Sequence, residues 1–171
     1  LPYTTLDNKR RYLKLLENLN KTADHFVTVS ECSKRDLIEV LGIPAERITN
    51  TYQSVDIPAK FRDKSEEQVI REVEGATGVG YKNYFLFWGS IEPKKNIGRM
   101  IEAYLSSKVD APLVIVGAQA WKAEEELRLL NDENITFLRT IDHDIVTRKR
   151  VIQLSYAPFS LLVSLIRGAK A

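Results

Sequence analysis

Residues 84–104 read Tyr84-Phe-Leu-Phe-Trp88-Gly-Ser-Ile-Glu-Pro-Lys-Lys-Asn96-Ile-Gly-Arg-Met-Ile-Glu-Ala-Tyr104. The apolar run from Tyr84 to Trp88 is too short for a helix and has the character of a buried strand. Gly89 and Ser90 end it, and Pro93 cannot continue a ladder. Asn96 is a good helix cap, and Ile97, Met100, Ile101 and Tyr104 behind it share one helical face. The stretch is therefore a strand, a short loop and a helix. Its charges are unusual. A helix start favours acidic neighbours, yet Lys94, Lys95 and Arg99 gather here against Glu92 alone. Either these cations are simply solvated, or an anion such as phosphate belongs between them.

The same alternation extends in both directions. Pro112-Leu-Val-Ile-Val-Gly117 is a continuous apolar strand of the kind a parallel sheet buries on both faces. A helix is expected over 119–131, a third strand over 151–156, and a largely interior helix over 159–167. Upstream, Asp7 is positioned to cap a helix over 8–21 whose apolar face is Tyr12, Leu13, Leu16 and Leu19. Strands follow over 25–30 and 47–55. Ser33 and Asp36 have capping-box spacing before Leu37, Ile38 and Leu41, and Gly42 is the expected stop. Ser65 caps a helix to about Glu74, and Gly75, Gly78 and Gly80 then loosen the chain. Residues 132–149 fit the alternation poorly. They are expected to be a basic insertion carrying Arg139, Arg148, Lys149 and Arg150, with a short helix favoured over a strand. Alternating strands and helices predict a doubly wound α/β sheet with ligands at the carboxyl ends of its strands, at Gly89–Ser90, Gly117 and Ser155–Tyr156.

The totals narrow the function classes. With 171 residues, 44% of them hydrophobic and 28% charged, the chain has globular composition. A net charge of +2 without an aromatic-interleaved basic stripe gives no reason to expect nucleic acid. The single cysteine, Cys32, excludes an internal disulfide and suits a reducing, cytoplasmic setting. No apolar run approaches the roughly 18 residues of a membrane span. His25 and His143 lack metal-ligand spacing, Asp142 and Asp144 imitate a metal pair only superficially, and Glu124, Glu125 and Glu126 have the pattern of solvated helix charges. No metal is expected. The opening Leu1-Pro2-Tyr3 is expected to be the middle of a longer chain.

The segment Gly89-Ser-Ile-Glu-Pro-Lys-Lys-Asn96 resembles the first strand–loop–helix of the nucleotide-sugar domain in retaining glycosyltransferases of the GT-B fold. It is most similar to the group 1 branch with a Gly-Thr-Ile-Glu-Pro-Arg-Lys-Asn pattern, which includes mannosyltransferases of polysaccharide assembly. Val29 to Leu37 and Leu41 to Pro44 resemble the end of the acceptor-side domain. The resemblance thus implies a Rossmann-like parallel sheet, incomplete at both ends. Residues 1–58 would close the acceptor-side domain and cross over, and 59–171 would begin the nucleotide-sugar domain.

The resemblance also implies a reaction: transfer of a sugar, mannose by the branch, from a nucleotide-sugar donor to a glycan or lipid-linked acceptor, with retention and without metal or cofactor. It places the donor diphosphate on Gly89, Ser90, Lys94 and above all Lys95, and the nucleobase near Leu154, Ser155 and Tyr156. Ser90 stands where many relatives have an arginine. The family's paired glutamates would lie beyond Ala171, so no catalytic residue is expected in this stretch, and the stretch alone is expected to be inactive. Either Ser30 and Glu31 touch substrate, or Ser30 and Ser33 simply satisfy helix-end amides. Peripheral attachment of the parent at the inner membrane face, and pairing of copies through an incomplete sheet edge, are the partner expectations. A non-catalytic α/β binding module is the competing class.

Overall fold

The computed structural model describes residues 5–130, 138–141, 144–147 and 150–171. The chain forms two compact units, Leu1–Asp56 and Ile57–Ala171.

The first unit opens with α1 (Leu6–Thr22). Its cap is Thr5, whose Oγ1 accepts from the Asn8 N–H at 3.3 Å. Asp7, expected as the cap, lies inside the first turn instead, where its charge still complements the positive helix end. The expected apolar face is present in composition, but no residue of α1 is buried. β1 (Phe26–Thr28) and β2 (Ile48–Asn50) pair in parallel with Phe26 opposite Ile48. Both are shorter than expected: β1 gives way to Ser30, the cap of the helix that follows, and beyond Asn50 the chain turns out through Tyr52 at φ 58°. Between them lies α2 (Glu31–Leu41), whose cap comes three residues before the anticipated Ser33. Ser30 is its cap, accepting from the Ser33 N–H at 3.1 Å, so Ser33 is a helical residue. The helix ends at Gly42 in the left-handed conformation, with Gly42 N–H on Ile38 O and Ile43 N–H on Leu37 O. Arg47 closes the far end of α1 by donating to the carbonyls of Ala23 and Asp24 at 2.5 and 3.3 Å.

The second unit begins with α3 (Ala59–Arg62) and α4 (Glu66–Thr77). Ser65 caps α4 as expected, through Gln68 N–H at 3.2 Å. Gly78, not Gly75, ends it, so Gly75 is helical. Three strands then form one parallel sheet in the order β3 (Phe85–Trp88), β4 (Leu113–Val116), β7 (Val151–Leu154). Phe85 stands opposite Leu113 and Leu113 opposite Val151, so the three strands end level at Trp88, Val116 and Leu154.

The period-two alternation of β4 builds a three-layer sandwich. Val114 and Val116 join Val69, Val73, Tyr84 and Leu165 on the face covered by α4 and α7 (Phe159–Gly168). Leu113 and Ile115 join Ile97, Ile101, Tyr104, Ala123 and Leu127 on the face covered by α5 (Ile97–Ser106) and α6 (Ala123–Leu127). All four residues of β4 are buried, which is why its sequence shows no polar position. This is the Rossmann-like α/β class expected from the sequence.

Three elements differ from expectation in this unit. α6 is five residues long rather than thirteen, since Lys122 at φ 57° cannot continue a helix. Within 132–149, β5 (Leu138–Ile141) and β6 (Asp144–Thr147) pair antiparallel, where a short helix was favoured. Five of those eight residues are Thr, Ile or Val, which favour strands. His143, Asp142, Arg148 and Lys149 lie outside the described residues. Arg150, expected on a basic solvated face, is half-buried. It donates to the carbonyls of Leu105, Tyr104, Ser107 and Val109 at 2.9–3.2 Å, and its guanidinium lies 4.8 Å from the Tyr104 ring. It pins the start of β7 to the carbonyl end of α5.

A buried ion pair ties the start of the unit to α7. The Lys64 side chain is 3% exposed. Its ammonium meets Glu72 Oε2 at 2.5 Å, Ser160 O and Oγ at 2.9 and 2.8 Å, and Ser164 Oγ at 3.0 Å. Ser164 also donates to Glu72 at 2.6 Å. At the outer edge of β3, Lys170 N–H donates to Tyr84 O and Leu86 N–H to Ala171 O. That edge is thereby covered. The outer edge of β7 pairs with no strand among the described residues.

Candidate functional site

The carboxyl ends of β3, β4 and β7 make one level edge, and the loops that leave it carry most residues singled out by the sequence. Its centre is pure backbone. Gly89 N–H donates to Val116 O at 2.9 Å and Gly117 N–H to Leu154 O at 2.9 Å, so pairing continues past the strands. A Cβ on Gly117 would fall 1.8 Å from Gly89 O. No side chain fits there, and the two loops leave the sheet in direct backbone contact. Ile91 N–H on Ala118 O and Ala120 N–H on Ile91 O keep them together for another turn. Ile91 is fully buried, which anchors the loop of residues 89–96 at its midpoint.

Around that anchor the polar residues are organised by one carboxylate. Glu92 Oε1 accepts from Ser90 Oγ at 2.5 Å and lies 3.1 Å from Lys94 Nζ. The hydrogen bond from Ser90, then that from Lys94, holds the Glu92 carboxyl below its ordinary pKa. Lys94 is thus partly neutralised. Lys95 is exposed, and no ion pair holds its ammonium among the described residues. A turn of 3₁₀ helix over Pro93–Lys95 delivers the chain to Asn96 in the left-handed conformation.

Asn96 precedes α5 as expected but makes no side-chain cap bond. Its left-handed backbone leaves the cap to another residue. Gly98 N–H donates to Glu126 Oε2 at 2.7 Å. Glu126, expected on a solvated face with Glu124 and Glu125, instead turns inward from α6 and places a negative charge at the start of α5. Of the groups expected to receive phosphate, the loop cations therefore stand at the surface, while one amide of the helix start is already bonded to a carboxylate.

Gly89, Ser90, Lys94 and Lys95 are brought together in this one loop. Leu154, Ser155 and Tyr156 lie on the same edge, two strand spacings away at about 10 Å, with β4 between. The Leu154 carbonyl is taken by Gly117, while Ser155 and Tyr156 are exposed. Trp88, level with Leu154, is 52% exposed. Among the described residues no group of His, Cys, Asp or Glu could hold a metal ion, and no helix is long and apolar enough to cross a membrane. Ser30 and Glu31 belong to the first unit. Ser30 caps α2, and Glu31 accepts from Asn50 Nδ2 at 2.7 Å.

Comparison with known proteins adds a chemical class. No family model matches the chain. In sequence it is 26% identical over 125 residues to O-antigen chain mannosyltransferase B of Escherichia coli, covering 70% of this chain and 32% of that protein. The match is to a sugar-transferring enzyme. In structure the chain superposes on Anabaena HepE solved in complex with UDP and glucose, with a TM-score of 0.66, 17% identity, 97% of this chain and 41% of that one. A second HepE structure, in complex with UDP, gives 0.58 and 19%, over 84% of this chain and 36% of that one. At these identities the superpositions speak for the fold, which the two proteins share. The chain spans about a third of the length of the curated relative that it matches.

Proposed function

We propose that this chain belongs to a glycosyltransferase that transfers a sugar from a nucleotide-sugar donor, and that the edge described above receives the donor. The observation that carries the reading is the convergence of residues 89–95 and 154–156 on one carboxyl edge of a parallel sheet, the usual place for ligands in open α/β sheets. Similarity to a mannosyltransferase and a shared fold with a protein solved with UDP support the class.

In this reading the donor diphosphate lies against the backbone of Gly89 and Ser90, with Lys95 as its principal cation and Lys94 beside it. The glycines let phosphate oxygens approach the main chain closely. The nucleobase lies two strands away, beside Ser155 and Tyr156. The start of α5 contributes less than its dipole alone would suggest, because Glu126 already bonds Gly98. Residues 1–58 form the end of an acceptor-side domain and 59–171 the start of the donor-side domain. Mannose as the sugar, retention of configuration, a glycan or lipid-linked acceptor, independence from metal and work at the cytoplasmic face of a membrane complete the proposal. They rest on the branch resemblance and the mannosyltransferase match.

The test is calorimetric titration of the chain with GDP-mannose and with UDP-glucose, repeated on Lys95→Ala. Binding that falls roughly tenfold in the variant, as expected for loss of one charge-assisted contact, supports the site. Binding of equal strength in both proteins would refute it.

A further inference from the structure

Resting on the reading just given, one feature of the loop goes beyond it. Ser90 and Lys94 are two of the four residues which that reading places at the diphosphate, and their side-chain donors, Ser90 Oγ and Lys94 Nζ, both meet a single internal acceptor, Glu92 Oε1, at 2.5 and 3.1 Å. The Glu92 side chain is 19% exposed, against 54% for Lys94. The carboxylate is therefore the inner partner, with the serine hydroxyl on one side and the ammonium on the other. Lys95 N–H donates to Glu92 O at 3.0 Å, so the same residue fixes the turn that presents Lys95.

A carboxylate that satisfies a hydroxyl and an ammonium offers the same recognition as one phosphate oxygen: negative charge and lone pairs in hydrogen-bond reach. We propose that Glu92 is an internal competitor for the ligand phosphate. With the site empty it holds Ser90 and Lys94. When a diphosphate binds, those two donors transfer to phosphate oxygens, while Lys95, whose ammonium no ion pair holds among the described residues, is the contact available from first encounter.

Two consequences follow. Affinity for diphosphate is lowered by the free energy of breaking the Glu92 contacts, a cost met only by a ligand with enough further contacts, such as a base and a sugar. The cost is the same for every ligand that takes both donors, so bare phosphates, with the fewest further contacts, are left with the weakest net binding. Lys94 and Glu92 also act as a unit, so their substitutions do not add.

The experiment is titration with inorganic pyrophosphate and with GDP of the unaltered chain, Glu92→Gln, Lys94→Ala, the double variant and Lys95→Ala, each checked for an unchanged circular dichroism spectrum. The amide of Glu92→Gln still accepts from Ser90 but carries no charge, so the loop keeps its turn. Pyrophosphate affinity is expected to rise roughly three- to tenfold in Glu92→Gln, the scale of a half-exposed ion pair. The gain should vanish in the double variant, and should be of similar size for GDP. If Glu92→Gln leaves pyrophosphate affinity unchanged or lowers it while Lys95→Ala still weakens binding, the site stands and the competitor role is overturned. If no variant and no ligand shows binding, the site itself falls and the competitor role with it.

Discussion

Replacing Gly117 by alanine tests the link between the fold and the site at its tightest point. The added methyl would sit 1.8 Å from Gly89 O and 2.8 Å from Gly89 C. Ordinary van der Waals contact begins near 3.4 Å, so the two backbones must part by about 1.6 Å. Neither is a flexible side-chain tip. Gly89 is held by its bond to Val116 O and Gly117 by its bond to Leu154 O, and opening the gap strains both. Forced overpacking of this kind costs about 1–3 kcal/mol. For a chain of this size each kcal/mol lowers the unfolding midpoint by about 2–4 °C, which predicts a fall of about 2–12 °C by circular dichroism. The same displacement moves residues 89–95 relative to Ser155 and Tyr156. Nucleoside diphosphate affinity should therefore fall further than the loss of stability explains, by roughly tenfold at a temperature where the variant is fully folded. A variant with both an unchanged midpoint and an unchanged affinity would refute the close contact and the role given to this edge.

Other predictions concern the core. Lys64→Met strands the Glu72 carboxylate and two serines, and should destabilise by about 3–4 kcal/mol. The lower part of the range for breaking a buried pair applies because Glu72 is 28% exposed. Lys64→Met with Glu72→Leu should recover much of that loss in thermal melts, and a double variant no better than the single would contradict the pairing. The Glu72 carboxyl also predicts a pH dependence. Burial raises its pKa, but hydrogen bonds from Lys64 and Ser164 outweigh burial, and the net pKa is lowered from 4.5. Its stabilisation is therefore complete above about pH 4.5 and is lost as the pH falls through the lower folded value. Melts of Glu72→Gln should be flatter in pH below 4.5 than those of the unaltered chain, and parallel curves would contradict the assignment.

What could be read in the sequence, and what could not, follows from the range of the interactions. β4 declares itself because all of its residues are buried on both faces. Ser65 and Gly42 are legible because caps act within one turn, whereas Gly75 and Gly78 both offer a stop to α4 and only the structure shows that Gly78 takes it. Ser30 and Ser33 compete for one cap, and only the left end of α2 decides between them. The brevity of α6 turns on the left-handed Lys122, which carries no compositional signal. The antiparallel pair of β5 and β6 falls where the sequence favours a short helix, and β-branching decides it. Glu126 caps a helix that starts 29 residues earlier, and Lys64 meets serines about 100 residues away. No local pattern announces either. Glu92 is different: serine, glutamate and lysine at alternate positions in one loop were visible as a charge balance, and only the hydrogen bonds show that Glu92 orders the other two.

The most direct test of the central claim is to map where a nucleoside diphosphate touches the chain. Amide chemical shifts of the isotopically labelled protein would be followed during titration with GDP. The account predicts the largest changes at residues 89–95 and 155–156, with little change across α4 and α7. Saturable changes confined to other residues, with Ser90 through Lys95 unmoved, would contradict it.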